Sequence, residues 1–427
     1  MTGTARVVLT LAIFAAMLIL VVVRPRRWNE AWWTTLGGGA MLAFGLVSPR
    51  EAADVTLSGK KALLFLLALL ALSVLVGKSG FFDWAAIRCA RVAKGNARRL
   101  YRNAFVLGAV VTAVLSLDTT AVILTPVLLA LVKRLKIPAA PYLVLCAFVA
   151  NVGSIALPIS NLTNILFADA FRLTFATFAA RMLVPQGVAL AATYALLRWH
   201  FRRELPERFD GESLPDLAHV VPSRTYFRVC VTVLFAVVVG YFLAPLLGIE
   251  PYVIAFASGV ILAIAGAATG RVRPGAALEI SWSMFPFVIG LFVAVRGLEN
   301  LGLVGASAEW LARLRPGSPE KLLAAAGATA AASNILNNLP AALIARSVLL
   351  TSHAHVGTVL AALVGADVGP IVTPFGSLAT MLVLALGRRE GEEVPTKRLV
   401  WLGLWAAPGI VVATVLALAI TFALVRG

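Results

Sequence analysis

The sequence predicts an all-α polytopic membrane protein, an inverted-repeat transporter with about ten transmembrane helices, two re-entrant hairpins and two interrupted helices. Three observations predict it. Of the 427 residues, 60% are hydrophobic and only 13% charged, with a mean hydropathy of +0.92, where a soluble domain carries roughly 25% charged residues. Apolar runs of 16 to 22 residues recur along the chain and match the roughly 20-residue helix that crosses a bilayer. Some of these runs are broken by Asn, Asp, Ser, Thr, Gly and Pro at corresponding places in the two halves. A soluble enzyme, a secreted disulfide scaffold and a disordered tail are excluded.

In chain order, spans are expected at 6–23, 30–48, 60–77, 137–168, 181–199, 227–246, 251–269, 277–295, 355–387 and 399–425. The first run, Val7 to Val23, lacks a basic leader and a small-x-small cleavage site, so it reads as a retained helix. Residues 103–132 are apolar but interrupted at Ser116–Thr120, which leaves arms of about 13 residues, too short to cross alone. Arg98, Arg99 and Arg102 precede this stretch and Lys133, Arg134 and Lys136 follow it. With both ends on one face, it is a re-entrant hairpin. A second hairpin is expected at 320–349, interrupted at Ser333–Asn338. The amphipathic stretches 80–100 and 297–314 read as helices lying in the interface. The polar linker 201–226 divides the chain into a first repeat, 1–200, and a second, 227–427.

The net charge of +17 invites a nucleic-acid reading until the charges are placed. With the N-terminus outside and both hairpins non-crossing, 25 of the 37 Lys and Arg fall in the inside segments 24–29, 78–102, 133–136, 198–228, 270–275 and 388–398. That is the bias membrane topology requires, and it favours an N-out, C-out chain of a cell inner (plasma) membrane. Nucleic acid is not an expected partner; the lipid bilayer is. The cysteines Cys89, Cys146 and Cys230 are too few and too scattered for a disulfide framework or a zinc site. No metal or cofactor site is expected, and His353-x-His355 is too weak a signal to define one.

Five crossings per half is an odd number, so the second repeat must enter the membrane upside down. Residues 150–166 (ANVGSIALPISNLTNIL) and 366–382 (ADVGPIVTPFGSLATML) align without gaps and share seven of 17 positions, among them the helix breakers Gly153/Gly369 and Pro158/Pro374. The hairpin tips align Asp118 with Asn337 or Asn338. Matched Gly/Pro interruptions in inverted halves point to the binding site of a secondary transporter. Irregular backbone at membrane depth is tolerated only where it is buried in protein or lines a polar cavity.

Within that site two carboxylates are the candidates for proton coupling, Asp118 at the first tip and Asp367 beside the second break. Intramembrane charges are costly and usually functional, and a buried carboxyl can take up and release a proton. A plainer role for each is to cap a half-helix. Substrate-binding candidates are Thr119, Thr120, Asn151, Ser154, Asn161 and Asn164 in the first half, and Asn334, Asn337, Asn338, Thr373 and Ser377 in the second. Ser160, Thr163, Ser333 and Thr380 complete the polar lining. No Arg or Lys falls within the four breaks, so a neutral polyhydroxyl solute or a cation fits more naturally than an anion, although half-helix N-termini can hold anions. Cys146, about one turn before Asn151, reads as a small hydrophobe rather than a thiol ligand. Glu279 and Asp169 lie near span ends and read as solvated or structural. GxxxxGK[ST] is absent, so no catalytic residues are expected and energy must come from an ion gradient or a separate ATPase subunit.

At Asn337-Asn338-Leu339-Pro340, Gly365–Thr380, Asp118–Pro126 and Ser160–Asn164 the chain resembles the arsenite/antimonite efflux permeases, the arsenical pump membrane proteins of the ion transporter superfamily. It departs at the first tip, where Leu117-Asp118 replaces the Asn-Asp of many members. The resemblance implies extrusion of arsenite or antimonite in exchange for protons by alternating access. It also implies a peripheral arsenical ATPase partner in some members, and the superfamily includes dimers, which makes a homodimer an expected form. Neutral As(OH)3, with three hydroxyls, suits an Asn/Ser/Thr/Asp pocket free of fixed cations. The alternatives are a Na+- or H+-coupled dicarboxylate-type carrier, a Na+/H+ antiporter of the same superfamily, and an uncoupled channel.

Overall fold

The computed structural model describes residues 3–23, 25, 28–211 and 214–425. Arg24, Arg26 and Arg27, the charges of the first expected inside segment, lie outside the described residues, as do Glu212 and Ser213 of the linker. The described residues form helices and no named strand. A single bridge, Asn96 to Arg208, lays the linker against the chain before the first hairpin.

The first helices are α1 (Gly3–Val23), α2 (Glu30–Ala43), α3 (Pro49–Ser58), α4 (Lys60–Lys78) and α5 (Phe81–Ala93). The expected span 30–48 is cut short: α2 has 14 residues, begins at the Asn29 cap and ends where Gly45 turns the chain at φ 68°. At 1.5 Å per residue it falls short of the bilayer core. It crosses closely against Gly290, where a Cβ would lie 2.4 Å from the Thr34 carbonyl oxygen. Small residues allow such approaches between membrane helices. Helix α3 was not expected. It opens on a capping box in which Ser48 and Glu51 satisfy each other's orphan groups. Within the stretch read as one interfacial helix at 80–100, α5 ends at Ala93 and a second helix starts at Ala97.

That second helix, α6 (Ala97–Val114), runs to the first tip; α7 (Leu117–Thr119), a π-type turn over Thr120–Leu124 and α8 (Thr125–Arg134) return from it. The arms are thus longer than the 13 residues expected, because helix continues through Arg98, Arg99 and Arg102 at one end and Lys133 and Arg134 at the other. Tyr101 near the start of α6 donates to the Pro141 carbonyl at 3.3 Å, just beyond the end of α8. Both ends of the hairpin therefore lie at one end of the bundle. Next come α9 (Ala140–Val152), an irregular break with a short 3-10 turn at Pro158–Ser160, α10 (Leu162–Ala170) and α11 (Phe175–His200).

After the linker and its short α12 (Leu217–Val220) follow α13 (Arg224–Leu247), α14 (Pro251–Ala268), α15 (Met284–Glu299) and α16 (Leu303–Ala312). The second helix–break–helix pair is α17 (Pro319–Leu336) and α18 (Asn338–Thr351). The chain ends with α19 (Val356–Val368), a second irregular break, α20 (Leu378–Arg389) and α21 (Thr396–Val425). Helix α19 packs so closely on α17 that a Cβ on Gly365 would lie 2.1 Å from the Ala326 carbonyl, and one on Gly369 would meet Ala330 at 2.6 Å. Among the described residues, seven helical segments are long and apolar enough to cross a membrane: Gly3–Val23, Lys60–Lys78, Phe175–His200, Arg224–Leu247, Pro251–Ala268, Pro274–Glu299 and Thr396–Ala423. They coincide with seven of the ten expected spans. The other three are the short α2 and the two interrupted helices.

Candidate substrate and proton site

Each interrupted helix must find partners for backbone groups that a continuous helix would satisfy internally. At the first break α11 supplies them. Gln186 accepts from the Ile155 N–H at 3.0 Å and donates to the Val152 carbonyl at 2.9 Å. Asn164 donates back across the break to the carbonyls of Ser154 and Leu157 at 2.6 and 3.1 Å. Ser154 donates to the Asn151 carbonyl, and Ser160 to the Ala113 carbonyl on α6. Gly153 turns the chain where a Cβ would strike the Val149 carbonyl at 2.5 Å, and Pro158 starts the 3-10 turn. Every residue from Pro141 to Ala168, those of the irregular break included, is buried.

The second break takes its partners from the second hairpin. Asn334 donates to the Gly369 carbonyl at 2.7 Å and accepts from the Thr373 N–H and hydroxyl, each at 3.0 Å. Asn337 donates to the Phe375 carbonyl at 3.0 Å, and the Asn338 N–H to the Gly376 carbonyl at 2.8 Å. Val372, Thr373, Pro374 and Phe375 are only partly buried. Asn337 holds φ 79° and ψ 154°, a backbone region that side-chain-bearing residues rarely enter and that costs on the order of 1–3 kcal/mol. Ser377 and Asn161 each cap the half-helix that follows, accepting from the Thr380 and Thr163 N–H groups respectively. Ser333 stays within its own helix, donating to the Thr329 carbonyl.

The two broken helices meet side chain to side chain. Asp367 Oδ1 accepts from Asn161 Nδ2 at 2.8 Å and from the Thr163 hydroxyl at 3.0 Å. Asn151, aligned with Asp367 in the repeat, donates to the Thr380 hydroxyl on α20 at 2.9 Å. In both directions the residue before a break reaches the first turn of the opposite half's following helix. Three buried acceptors at this crossing have no donor: Asp367 Oδ2, Asn151 Oδ1 and Asn164 Oδ1. Both amide nitrogens already donate twice, Asn151 to Ala147 and Thr380 and Asn164 to Ser154 and Leu157, which fixes the orientation of the amides and leaves the oxygens unpaired.

Asp118 sits apart from this crossing. It makes no hydrogen bond among the described residues and lines a cavity of about 390 Å³ with Ser73, Thr119, Lys78, Glu279 and Leu382. Thr119 contacts the Ser73 hydroxyl at 2.6 Å and Ser116 at 3.0 Å, while Thr120 contacts Thr112 at 2.7 Å. Glu279 pairs with Lys78 at 2.5 Å, and Asp169 lies 3.9 Å from Lys61. Cys146 is buried within α9. The structure therefore joins Asp367, Asn151, Asn161, Thr163 and Thr380, keeps Asn334, Asn337, Asn338 and Thr373 at the second break, and leaves Asp118, Thr119 and Thr120 at the first tip. Sequence reasoning missed Gln186, Ser73 and Thr112. Gln186 is the only amide of α11 and follows Pro185, and Ser73 is the only hydroxyl of α4. A lone polar side chain in an apolar span is the signal that could have found both.

This fold, with polar breaks meeting inside a multi-pass apolar bundle, defines a membrane transporter. Solved structures share it: the YdaH transporter of Alcanivorax borkumensis, at TM-score 0.58 and 16% identity over 99% of this chain and 98% of that one, and Neisseria gonorrhoeae MtrF, described as an antimetabolite efflux pump, at TM-score 0.57 and 13% identity over 97% and 94%. The family model for arsenical pump membrane protein (ArsB) matches residues 9–424. Arsenical pump membrane proteins of Escherichia coli K12 and Yersinia enterocolitica are 32% and 34% identical over 87% of this chain and 89% of theirs. A putative arsenical pump membrane protein of Bacillus subtilis is 27% identical over 90% of this chain and 92% of its own. The chain belongs to the arsenical pump membrane protein family, and is an integral, multi-pass transporter of the inner membrane.

Proposed function

We propose that the chain extrudes arsenite and antimonite, as neutral trivalent hydroxides, in exchange for protons by alternating access. The observation that carries this reading is the crossing of the two broken helices, where Asp367 is clasped by Asn161 and Thr163 while Asp367 Oδ2, Asn151 Oδ1 and Asn164 Oδ1 lack donors. A solute bearing several hydroxyl donors and no charge supplies what these acceptors lack, without the desolvation of an ion. The near-reciprocal bonds, Asp367 to Asn161 and Asn151 to Thr380, support two inverted repeats, 1–200 and 227–427, joined by the linker 201–226, and the placement of Lys and Arg supports an N-out orientation.

Asp367 and Asp118 carry the protons in this reading. Asp118 faces a cavity and is free of hydrogen bonds, so it exchanges with water first; Asp367 is buried and exchanges only when the helices part. Substrate binding falls to Asn151, Ser154, Asn161 and Asn164 with Asn334, Asn337, Asn338, Thr373 and Ser377, and Thr119 and Thr120 line the path from the first tip. A peripheral ATPase would add energy to the same pathway.

The test is arsenite accumulation in everted vesicles under an imposed pH gradient, comparing the wild type with Asp118→Asn. Accumulation that collapses both with a protonophore and in the variant is the expected result. Wild-type vesicles that ignore arsenite but take up a dicarboxylate with Na+ would sink the assignment.

A further inference from the structure

We propose that a cavity of about 680 Å³ between the start of α6 and the end of α11 binds the phosphate headgroup of an anionic membrane phospholipid. Four arginines line it: Arg98 from the first turn of α6, Arg198 from the last turn of α11, and Arg202 and Arg203 from the turn that follows. All four are exposed, and none forms an ion pair among the described residues. The nearest carboxylate in sequence, Glu204, is engaged by Arg398. Glu207 contributes its backbone carbonyl to the Ala97 N–H.

Four unpaired guanidiniums in one concavity repel one another and leave their donor forks unfilled. A phosphate is the complement, because the planar fork binds it bidentately. The surroundings point to a lipid phosphate. Trp199 is 58% exposed at the end of a membrane-spanning helix, the level at which tryptophan marks the headgroup layer. The Arg202 guanidinium lies 5.6 Å from the centre of the Trp199 ring, which keeps it at that depth. Ala195 and Leu205 give the cavity an apolar wall along which an acyl chain can lie. Basic pockets between membrane helices recognise anionic headgroups on these grounds. The site rests only on the membrane reading of the chain, so it stands or falls separately from arsenite transport. It joins the root of the hairpin that carries Asp118 to a long spanning helix.

Native mass spectrometry of the detergent-purified full chain tests the proposal, with cardiolipin and phosphatidylcholine as probes. The wild type should retain cardiolipin through delipidation and lose phosphatidylcholine. Arg198→Gln/Arg202→Gln should weaken retention about 30-fold, the effect of removing two headgroup-facing charges. Arg198→Lys/Arg202→Lys should fall between, since charge remains without the fork. Arg88→Gln, on α5 outside the cavity, should bind as the wild type does, and circular dichroism checks that every variant keeps its helix content. Equal retention by the double Gln variant would overturn the proposal. Displacement by millimolar inorganic phosphate would assign the cavity to a free anion instead, and binding of polyglutamate without retained lipid would assign it to an acidic protein; either outcome overturns the lipid site.

Discussion

The two broken helices share a sequence pattern and differ in how their breaks are closed. The first is sealed: Ile155 and Val152 are satisfied by Gln186 from a spanning helix, and Asn164 ties the break to itself. The second is partly open: Thr373 and Phe375 are only half-buried, and their partners Asn334 and Asn337 come from a hairpin whose tip residue is held in a strained backbone. The carboxylate is also unevenly assigned, since Asp367 occupies the position where the first half has the neutral Asn151. A pseudo-symmetric frame thus carries an asymmetric chemistry. One half supplies a rigid amide lattice, and the other supplies the ionisable group and the looser backbone. This division fits the proposed reading, in which one repeat moves against the other around a shared site.

The largest effect should come from removing that asymmetry. Asp367→Asn keeps the volume and an oxygen that still accepts from Asn161 and Thr163, so the variant should fold and insert. It makes the crossing neutral on both sides, and pH-driven arsenite accumulation in everted vesicles should drop to the level of vesicles lacking the protein. Wild-type accumulation with full pH dependence would remove Asp367 from proton coupling and leave Asp118 as the sole candidate.

The contrast between sealed and open breaks can be set against stability. Gln186→Leu strands the Ile155 N–H and the Val152 carbonyl where no water reaches. At about 1–3 kcal/mol for each of these two buried unsatisfied groups, the loss should be about 2–6 kcal/mol. Asn334→Leu removes more hydrogen bonds, four against two, yet the Gly369 carbonyl keeps the Val372 N–H and water can reach the partly exposed Thr373, so about 1 kcal/mol is expected. Denaturation of both purified variants in detergent gives the comparison. Equal losses would mean that the second break is as dry as the first.

Much of this was legible in the sequence because the bilayer imposes simple demands. Seven spans could be read from length and hydropathy alone, and the breaks announced themselves as Gly, Pro and amide clusters in otherwise apolar runs. What escaped depended on packing. The close crossing of α2 with Gly290 is one such feature, whereas the early end of α2 before Gly45 is local, a lone glycine that a count of apolar residues passes over. The hairpin arms outran their apolar cores because Arg98, Arg99 and Arg102 extend to the interface on long side chains while their backbone stays helical. Motif alignment nominated Asp367, Asn151 and Asn161 together, but only the fold brings Asp367 to Asn161 rather than to Asn151. Gln186 was overlooked because it lies outside both aligned motifs.

The halves differ at their periphery as well, and here the expected effect is smallest. Glu51, at the start of the unanticipated α3, accepts from the Ser48 N–H and hydroxyl at 2.9 and 2.8 Å, and lies near Asn300 at 3.1 Å and Arg296 at 3.5 Å of the second half. The Ser48 hydrogen bonds, with Asn300 and Arg296 adding to them, hold its carboxyl down at about 2, against an ordinary value of 4.5. Because the folded value is depressed, this stabilisation is complete above about pH 5 and fades as pH falls toward 2. Glu51 is partly exposed, so screening limits its worth to that of a cap, roughly 1 kcal/mol. Glu51→Gln should therefore lower the melting temperature at pH 7 by about 1–3 °C, and the gap between variant and wild type should narrow steadily between pH 5 and pH 3. A gap independent of pH would show that α3 is held by its cap and its packing alone, and that no charge links the two halves at this edge.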